Sequence, residues 1–461
     1  MLRLGGRFWR EWLPAGVRGS WQGESSLWRR IASGAFWEIA GASILNAFTL
    51  ASNVACGRLL GPTRFGEFGI LLATANLFLT FAGTGLGMTA SRYIAEHRNS
   101  DQQSAGRIIG LCSATALVVG VGVGGFCLGA APWLSARVLN APQLAGGLVI
   151  VSAILLFAAV NASQTGILGG LEAFRTIAIG NAIRGVGLLV LVTAGAALFG
   201  LHGALLGYTA AGVAITIYFR FAIWRLCKSR LIKATYRFKR EDLRILYRFT
   251  LPVLLATFSY TPAIWWSNVL LARTSGYAEA GIFNAVMQCQ FVILFFATAT
   301  SNISLPTLSN VLAEGDRGKY KRCLTANFLV TTVPAIAVAV PIAIAAPFIM
   351  SLYGPAFAHG ANAVRLISVS AVFFAINSPV NHAMWSLEAA GPGVLLSLVR
   401  GGTLVIGAYA LVGKGAWGLA LAYMLVSIAQ VVVGLPWLGW LMRRKFSTGS
   451  TAAVPVSLVA R

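Results

Sequence analysis

SNVACGRLLGPTRFGEF, residues 52–68, and SNVLLARTSGYAEAGIF, residues 267–283, are two versions of one stretch. At an offset of 215, seven of 17 positions are identical: Ser52, Asn53, Val54, Arg58, Gly61, Gly66 and Phe68 match Ser267, Asn268, Val269, Arg273, Gly276, Gly281 and Phe283. A second block continues at an offset of 216. There Phe157, Ala159, Asn161, Leu171-Glu172-Ala173 and Arg184-Gly185 match Phe373, Ala375, Asn377, Leu387-Glu388-Ala389 and Arg400-Gly401, and ten of the 37 positions from Ser152 to Leu188 are identical without a gap. Apolar identities come cheaply in an apolar chain, whereas identities at Asn, Glu and Arg do not. The chain therefore reads as an internal duplication.

The residues around these blocks define the solvent. The 461 residues are 57% hydrophobic and 11% charged, with a mean hydropathy of +0.75. Soluble domains carry about 25% charged residues. This chain has too little polar surface to cover itself in water, which excludes a soluble enzyme, a disordered chain and a disulfide scaffold. A helix crosses a hydrocarbon core of roughly 30 Å with about 20 apolar residues. About twelve such runs are readable, at 34–56, 66–89, 108–131, 145–168, 176–199, 203–226, 249–272, 279–303, 326–350, 366–387, 393–412 and 417–441. Residues 1–33 hold six Arg and the tryptophans Trp9, Trp12, Trp21 and Trp28, and read as a basic interfacial segment.

The formal charge of +23 is one of topology rather than nucleic-acid binding. With the N-terminus inside, the cytoplasmic segments hold 27 Lys and Arg and the outer segments six. Arg184, Arg220 and Arg400 lie within spans. The bias predicts a multi-pass membrane protein with both termini cytoplasmic. The central basic loop, 227–248, holds nine basic residues together with Arg225 at its edge. It divides a six-helix lobe, 34–226, from a second, 249–441, with a tail at 442–461. Six spans per copy give both copies the same topology. The expected fold is an all-α polytopic membrane protein of about twelve transmembrane helices, in two parallel six-helix repeats around a central cleft. Parallel repeats of this kind carry substrates at their interface.

Several motifs suggest a family. Gly57-Arg58-Leu59-Leu60-Gly61-Pro62 with Phe65-Gly66-Glu67-Phe68-Gly69 is similar to the first outer loop of bacterial polysaccharide flippases. Gly85-Leu86-Gly87 and Arg92-Tyr93-Ile94-Ala95-Glu96 resemble the end of their second span and the loop after it. Leu251-Pro252, Asn268 and Ala280-Gly281-Ile282-Phe283 resemble their seventh and eighth spans. Over residues 33–445 the chain resembles the O-antigen/exopolysaccharide flippases of the multidrug/oligosaccharidyl-lipid/polysaccharide exporter superfamily. The resemblance implies movement of an undecaprenyl-pyrophosphate-linked oligosaccharide from the inner to the outer leaflet of the bacterial inner (cytoplasmic) membrane for surface polysaccharide biosynthesis. It implies a polysaccharide polymerase, the export machinery and membrane lipids as partners. Lipid II flippases generally have fourteen spans. Cation-coupled drug exporters of the superfamily commonly use an acid in the first or seventh span; here the seventh has none and the first has only Glu38.

A flippase must carry a pyrophosphate and sugars past a layer that disfavours charge and unpaired hydroxyls. Intramembrane ionisable residues are its first candidates. Arg184 and Arg400 occupy equivalent places, and a planar guanidinium grips phosphate oxygens bidentately. Snorkelling back to the cytoplasmic interface is the competing account; Arg220, nearer a span end, reads as such an anchor. Glu38 is a candidate for proton coupling or for neutralising Arg184. Asn161 and Asn377 suit sugar hydroxyls, or hydrogen bonding between helices. Tyr260, Ser267 and Asn268 share one face of span seven, and Asn284 and Gln288 one face of span eight. Pro252, Pro262, Pro334, Pro341, Pro379 and Pro436 all fall in second-half spans, which makes span seven, with Pro252 and Pro262, the expected hinge.

The run Gly120–Gly125 lies inside an apolar span and reads as helix packing, not as a nucleotide fingerprint. There is no Walker motif and no CxxC pair, so no ATP hydrolysis, metal or cofactor is expected. A cation-coupled multidrug antiporter is the alternative transporter. A membrane-embedded glycosyltransferase or polymerase is the enzyme alternative, and the short outer loops weigh against it.

Overall fold

The computed structural model describes residues 21–82, 84–98, 101–233, 235, 260–387 and 390–447, and among them it is α-helical with no strand. In chain order the helices are α1 Trp21–Ala82, α2 Thr84–His97, α3 Gln102–Trp133, α4 Ala145–Gly170, α5 Phe174–Gly187, α6 Thr193–Ser229, α7 Thr261–Ser275, α8 Tyr277–Ala313, α9 Arg317–Ile344, α10 Ala346–Tyr353, α11 Ala361–Ser386, α12 Ala390–Leu411 and α13 Gly415–Ser447. In hydrocarbon every backbone N–H and C=O must be paired within its own segment, so apolar runs of this length become helices.

Eight described stretches are long and apolar enough to cross a membrane. Three are of double length: Ser33–Thr80, Phe174–Ser229 and Leu395–Phe446, with 48, 56 and 52 residues. At about 1.5 Å per residue each would measure roughly 70–85 Å if straight. Each folds back at one glycine instead: Gly61 (φ 68°, ψ 172°), Gly200 (φ 60°, ψ −136°) and Gly415 (φ 68°). Gly276 (φ 92°) joins α7 to α8 in the same way. A positive φ costs a side chain steric strain that glycine avoids. The loops expected at 57–65 and 200–202 are thus single-residue reversals, and helix fills the remainder. For the same reason Pro62 and Pro132 lie inside helices of the first half, although the span limits had placed intrahelical proline only in the second. Helix α1 is continuous from Trp21, and its apolar membrane-crossing stretch begins at Ser33.

Residues equivalent in the sequence repeat share local geometry. Gly61 and Gly276 are 215 residues apart, as are Gly200 and Gly415, and all four have positive φ. Asp101 and Asp316 are likewise equivalent. Each caps a helix, accepting amide hydrogen bonds from the residues two and three further on.

One irregularity has a sequence cause. Arg184 to Gly200 spans one residue more than Arg400 to Gly415. The extra residue is taken up as a π turn at Leu188–Val192, between α5 and α6. Such a turn absorbs an insertion without rotating the flanking helix, and leaves a carbonyl without its usual partner. The Ser52 hydroxyl, on α1, donates to Leu188 O at 3.0 Å. Its counterpart Ser267 donates within its own helix, to Ala263 O.

Among the described residues the halves share a hydrophobic core at one end. Phe65, Phe68 and Leu71 share a core with Val269, Phe283, Tyr353 and Phe357 at the end away from the basic loops. At the basic end each half has its own core: Ile94, Ile108, Leu168 and Phe219 in the first, Leu308, Tyr320, Val380 and Leu438 in the second. The meeting point is a backbone crossing of α1 and α8. A Cβ on Gly66 would lie 1.8 Å from Tyr277 O, and one on Gly281 2.0 Å from Pro62 O. These two contacts exchange under a shift of 215. Small residues let helices approach this closely where burial from water supplies no drive. In the Gly120–Gly125 run, Gly120 and Gly124 pack on α4, while Gly122 and Gly125 face open space.

Candidate functional site

A cavity of about 1160 Å³ lies between the halves, above the range of about 300–1,000 Å³ usual for small-molecule sites. Helix α1 lines it on both sides of Gly61, from Ser43 to Asn53 and from Phe68 to Asn76. Leu188 and Val192 of the π turn and Tyr208 of α6 complete the first half's share. The second half contributes Thr261 to Asn268 of α7, Ala280 to Thr298 of α8, Val338, Phe374 and Tyr423. The shared core closes the cavity at the end away from the basic loops. Hydrogen bonds across the halves reinforce that closure: Trp265 Nε1 donates to Thr74 Oγ1 at 3.0 Å, Tyr277 Oη to Leu139 O at 2.9 Å and Arg273 to Val138 O at 3.3 Å.

Among the described residues the wall holds no Asp, Glu, Lys, Arg or His. Its polar character comes from carboxamides and hydroxyls. Asn53 and Asn268, equivalent in the repeat, each donate Nδ2 to the carbonyl four residues back at 2.9 Å. Asn46, Asn76, Asn284 and Gln288 have no hydrogen-bond partner among the described residues. Asn284 leans on Gly69, its own counterpart in the first half.

Three of the expected residues, Asn268, Asn284 and Gln288, therefore reach the wall. The arginines stand one layer behind it. Contacts of Gly187 with Ala211, Gly207 with Leu191 and Gly195 with Gly203 fix the register of the hairpin from α5 to α6. They set Tyr208 about six residues, roughly 9 Å, further from the basic end than Arg184. Arg184 nonetheless donates to Tyr208 Oη at 3.4 Å. This contact ties the Arg184 guanidinium to a residue of the cavity wall. The Arg400 guanidinium lies 3.8 Å from the centroid of the Tyr260 ring and 4.6 Å from that of Phe374. Tyr260 thus packs on Arg400 rather than in the wall. Tyr208 and Phe374 are the wall residues that screen the two arginines.

The remaining candidates lie elsewhere. Asn161 Nδ2 donates to Gly212 O at 3.2 Å and Asn377 Nδ2 to Ser427 O at 3.1 Å, the same interhelical bond in each half. Ser267 is buried within the packing of α7. Glu38 and Arg220 are exposed on α1 and α6, outside the wall. Pro262 occupies the first turn of α7, where proline needs no donor. Pro252 lies outside the described residues.

The sequence reading passed over Asn46, Asn76 and Trp265. Their signal was polarity or aromaticity within an apolar span. Unlike Asn284 and Gln288, which share a face of one span, Asn46 and Asn76 have no second carboxamide one helical turn away, and the counterparts of all three, Thr261, Phe291 and Leu50, add no identity.

A model of the polysaccharide biosynthesis protein family matches residues 31–312. An uncharacterized membrane protein of Methanocaldococcus jannaschii is 22% identical over 404 residues, covering 82% of this chain and 90% of that protein. The fold is similar to an inward-facing multidrug resistance MATE family transporter of the MOP superfamily, with a TM-score of 0.75 at 18% identity over 90% of this chain and all of the other. A MOP superfamily transporter of Pyrococcus furiosus, described as having a binding pocket of reversed polarity, gives 0.68 at 18% identity over 90% and 96%. A multi-pass helical chain, a cavity enclosed by its two halves and a family match over more than half its length lead to one assignment: the chain belongs to the polysaccharide biosynthesis protein family and has the fold of MOP superfamily transporters.

Proposed function

We propose that this protein is a flippase of the bacterial inner membrane. It moves an undecaprenyl-pyrophosphate-linked oligosaccharide from the inner to the outer leaflet by alternating access of two six-helix repeats. The observation that carries this reading is the cavity wall, which offers carboxamides and hydroxyls but no carboxylate among the described residues. Sugar hydroxyls need hydrogen-bond partners wherever water is excluded. A cationic drug needs a counter-charge, and the described wall has none, which disfavours the antiporter. Arg184 and Arg400 supply positive potential behind the wall for the diphosphate. Tyr208 and Phe374 stand between them and the cavity and must turn aside for direct contact. With the basic loops in the cytoplasm, closure at the other end makes this the inward-open state, loaded from the inner leaflet.

The test is transbilayer movement in proteoliposomes. The glycolipid begins in the inner leaflet and becomes accessible to an external lectin. The flippase reading predicts lectin binding faster than in protein-free vesicles. Extrusion of a cationic dye against a proton or sodium gradient, with no glycolipid movement, would establish the antiporter instead.

A further inference from the structure

We propose that Asn46, Asn76, Asn284 and Gln288, with the Trp265 indole, form a subsite for an uncharged pyranose and select against acidic sugars. The proposal rests on the flippase reading and adds the substrate class and the residues that determine it.

The single-glycine reversals give the depth of each group. At about 1.5 Å per residue, Asn284 lies roughly 12 Å below the reversal at Gly276, and Trp265 and Gln288 roughly 17–18 Å below it. Asn46 and Asn76 both lie roughly 22 Å below Gly61, on antiparallel arms of α1. The carboxamides thus form a ladder from three helical segments around one cavity. None has a hydrogen-bond partner among the described residues. Asn46 and Asn76 are exposed and Asn284 and Gln288 half-buried where they line the cavity, so these side chains are open to a ligand or to the water it displaces. A carboxamide offers donor and acceptor side by side, which matches the paired hydroxyls of a pyranose. The flat apolar face of such a ring needs a platform, and Trp265 supplies one. The indole N–H is already committed to Thr74, which fixes the half-buried ring in the cavity wall.

Selectivity follows from what the wall lacks. A hexuronate entering this cavity would lose its hydration and meet no cation in the described wall. The desolvation of a carboxylate is costly unless it is paired. Arg184 and Arg400 are screened, and in the flippase reading they serve the diphosphate that every substrate carries. The terms that separate one glycan from another are therefore neutral.

The test is binding to the full-length protein in nanodiscs. The probes are a short-prenyl diphosphate carrying a neutral trisaccharide, the same lipid carrying a glucuronate-containing trisaccharide, and the lipid diphosphate alone. The wild type should bind the neutral probe at least tenfold more tightly than the acidic one. Asn76→Leu and Gln288→Leu should each weaken the neutral probe by about fivefold and leave the bare diphosphate lipid unchanged. Gln288→Lys should tighten the acidic probe, a gain that misfolding cannot produce. Equal affinities for the two glycolipids in the wild type would overturn the subsite, as would equal losses for glycosylated and bare lipids in the variants. Selective binding without transbilayer movement would leave the subsite standing and defeat the flippase reading alone.

Discussion

Gly66→Ala is the sharpest perturbation of the closed end. The added Cβ would stand 1.8 Å from Tyr277 O, about 1.6 Å short of ordinary contact at 3.4 Å. The obstacle is helix backbone, so α1 and α8 must separate. Overpacking of a tight contact costs about 1–3 kcal/mol. The cost falls on the state in which these helices touch and is relieved when they part. It therefore shifts the balance towards opening of that end by about 5–150-fold. Ala272, 4% exposed and one turn before Gly276, is a suitable reporter. Carried as Ala272→Cys in a background free of native cysteine, it should resist an impermeant maleimide applied from that end. Adding Gly66→Ala should speed labelling by about the factor above and slow transport. Gly281→Ala should do the same, because its Cβ meets Pro62 O at 2.0 Å in the equivalent contact. Unchanged labelling and unchanged transport in both variants would refute the claim that this crossing is the closure.

Other expectations follow from other parts of the molecule. Ser52→Ala removes the hydroxyl bond that ties α1 to Leu188 O of the π turn, so it should lower thermal stability in detergent by about 0.5–1.5 kcal/mol; Ser267→Ala, whose hydroxyl bonds only within its own helix, should cost less. Asn161→Leu and Asn377→Leu should reduce stability by about 0.5–2 kcal/mol each while leaving glycolipid affinity unchanged, which a binding assay on folded protein checks. Arg400→Lys should retain less export than the wild type, since Lys keeps the charge but lacks the planar face that stacks between Tyr260 and Phe374, with surface glycan in a deletion strain as readout. At Asp101 the Ser104 hydroxyl and amide hold the carboxyl below its ordinary value of about 3.8. A lowered value contributes stability above the ordinary one and loses it as pH falls through the lowered one. Amide exchange at Gln103 and Ser104 should therefore be indifferent to acidification from pH 7 to 5 and lose cap protection only below about pH 4.

The all-helical, multi-span character was written in the pattern of the chain, and the sequence repeat was its most informative part. The identities of Gly61 with Gly276 and of Gly66 with Gly281 now have physical causes, a positive φ in the first pair and backbone contact in the second. The change of offset from 216 back to 215 after Arg184 was also readable, and it is the π turn. Helix limits were less legible. Hydropathy marks where lipid ends, and a helix held by a one-residue reversal continues past that point. Asn161 and Asn377 were found because they repeat, and they repeat because both halves need the same interhelical bond. Asn46 and Asn76 serve a cavity that the halves line differently, so no symmetry marked them. The aromatic screens over Arg184 and Arg400 depend on side-chain direction across helices, which a one-dimensional pattern does not carry.

The central claim is that the halves close at one end while parting at the other, and one pair of distances tests it. Spin labels at Gln102 and Arg317, equivalent positions at the basic end, report one opening; labels at Thr63 and Ala278 report the other. Pulsed dipolar spectroscopy in nanodiscs, with and without a lipid-linked neutral oligosaccharide, should show a second population. In it the first distance is shorter and the second longer. Distances that lengthen together, or a basic-end distance that stays fixed while the glycolipid still crosses the bilayer, would contradict the account.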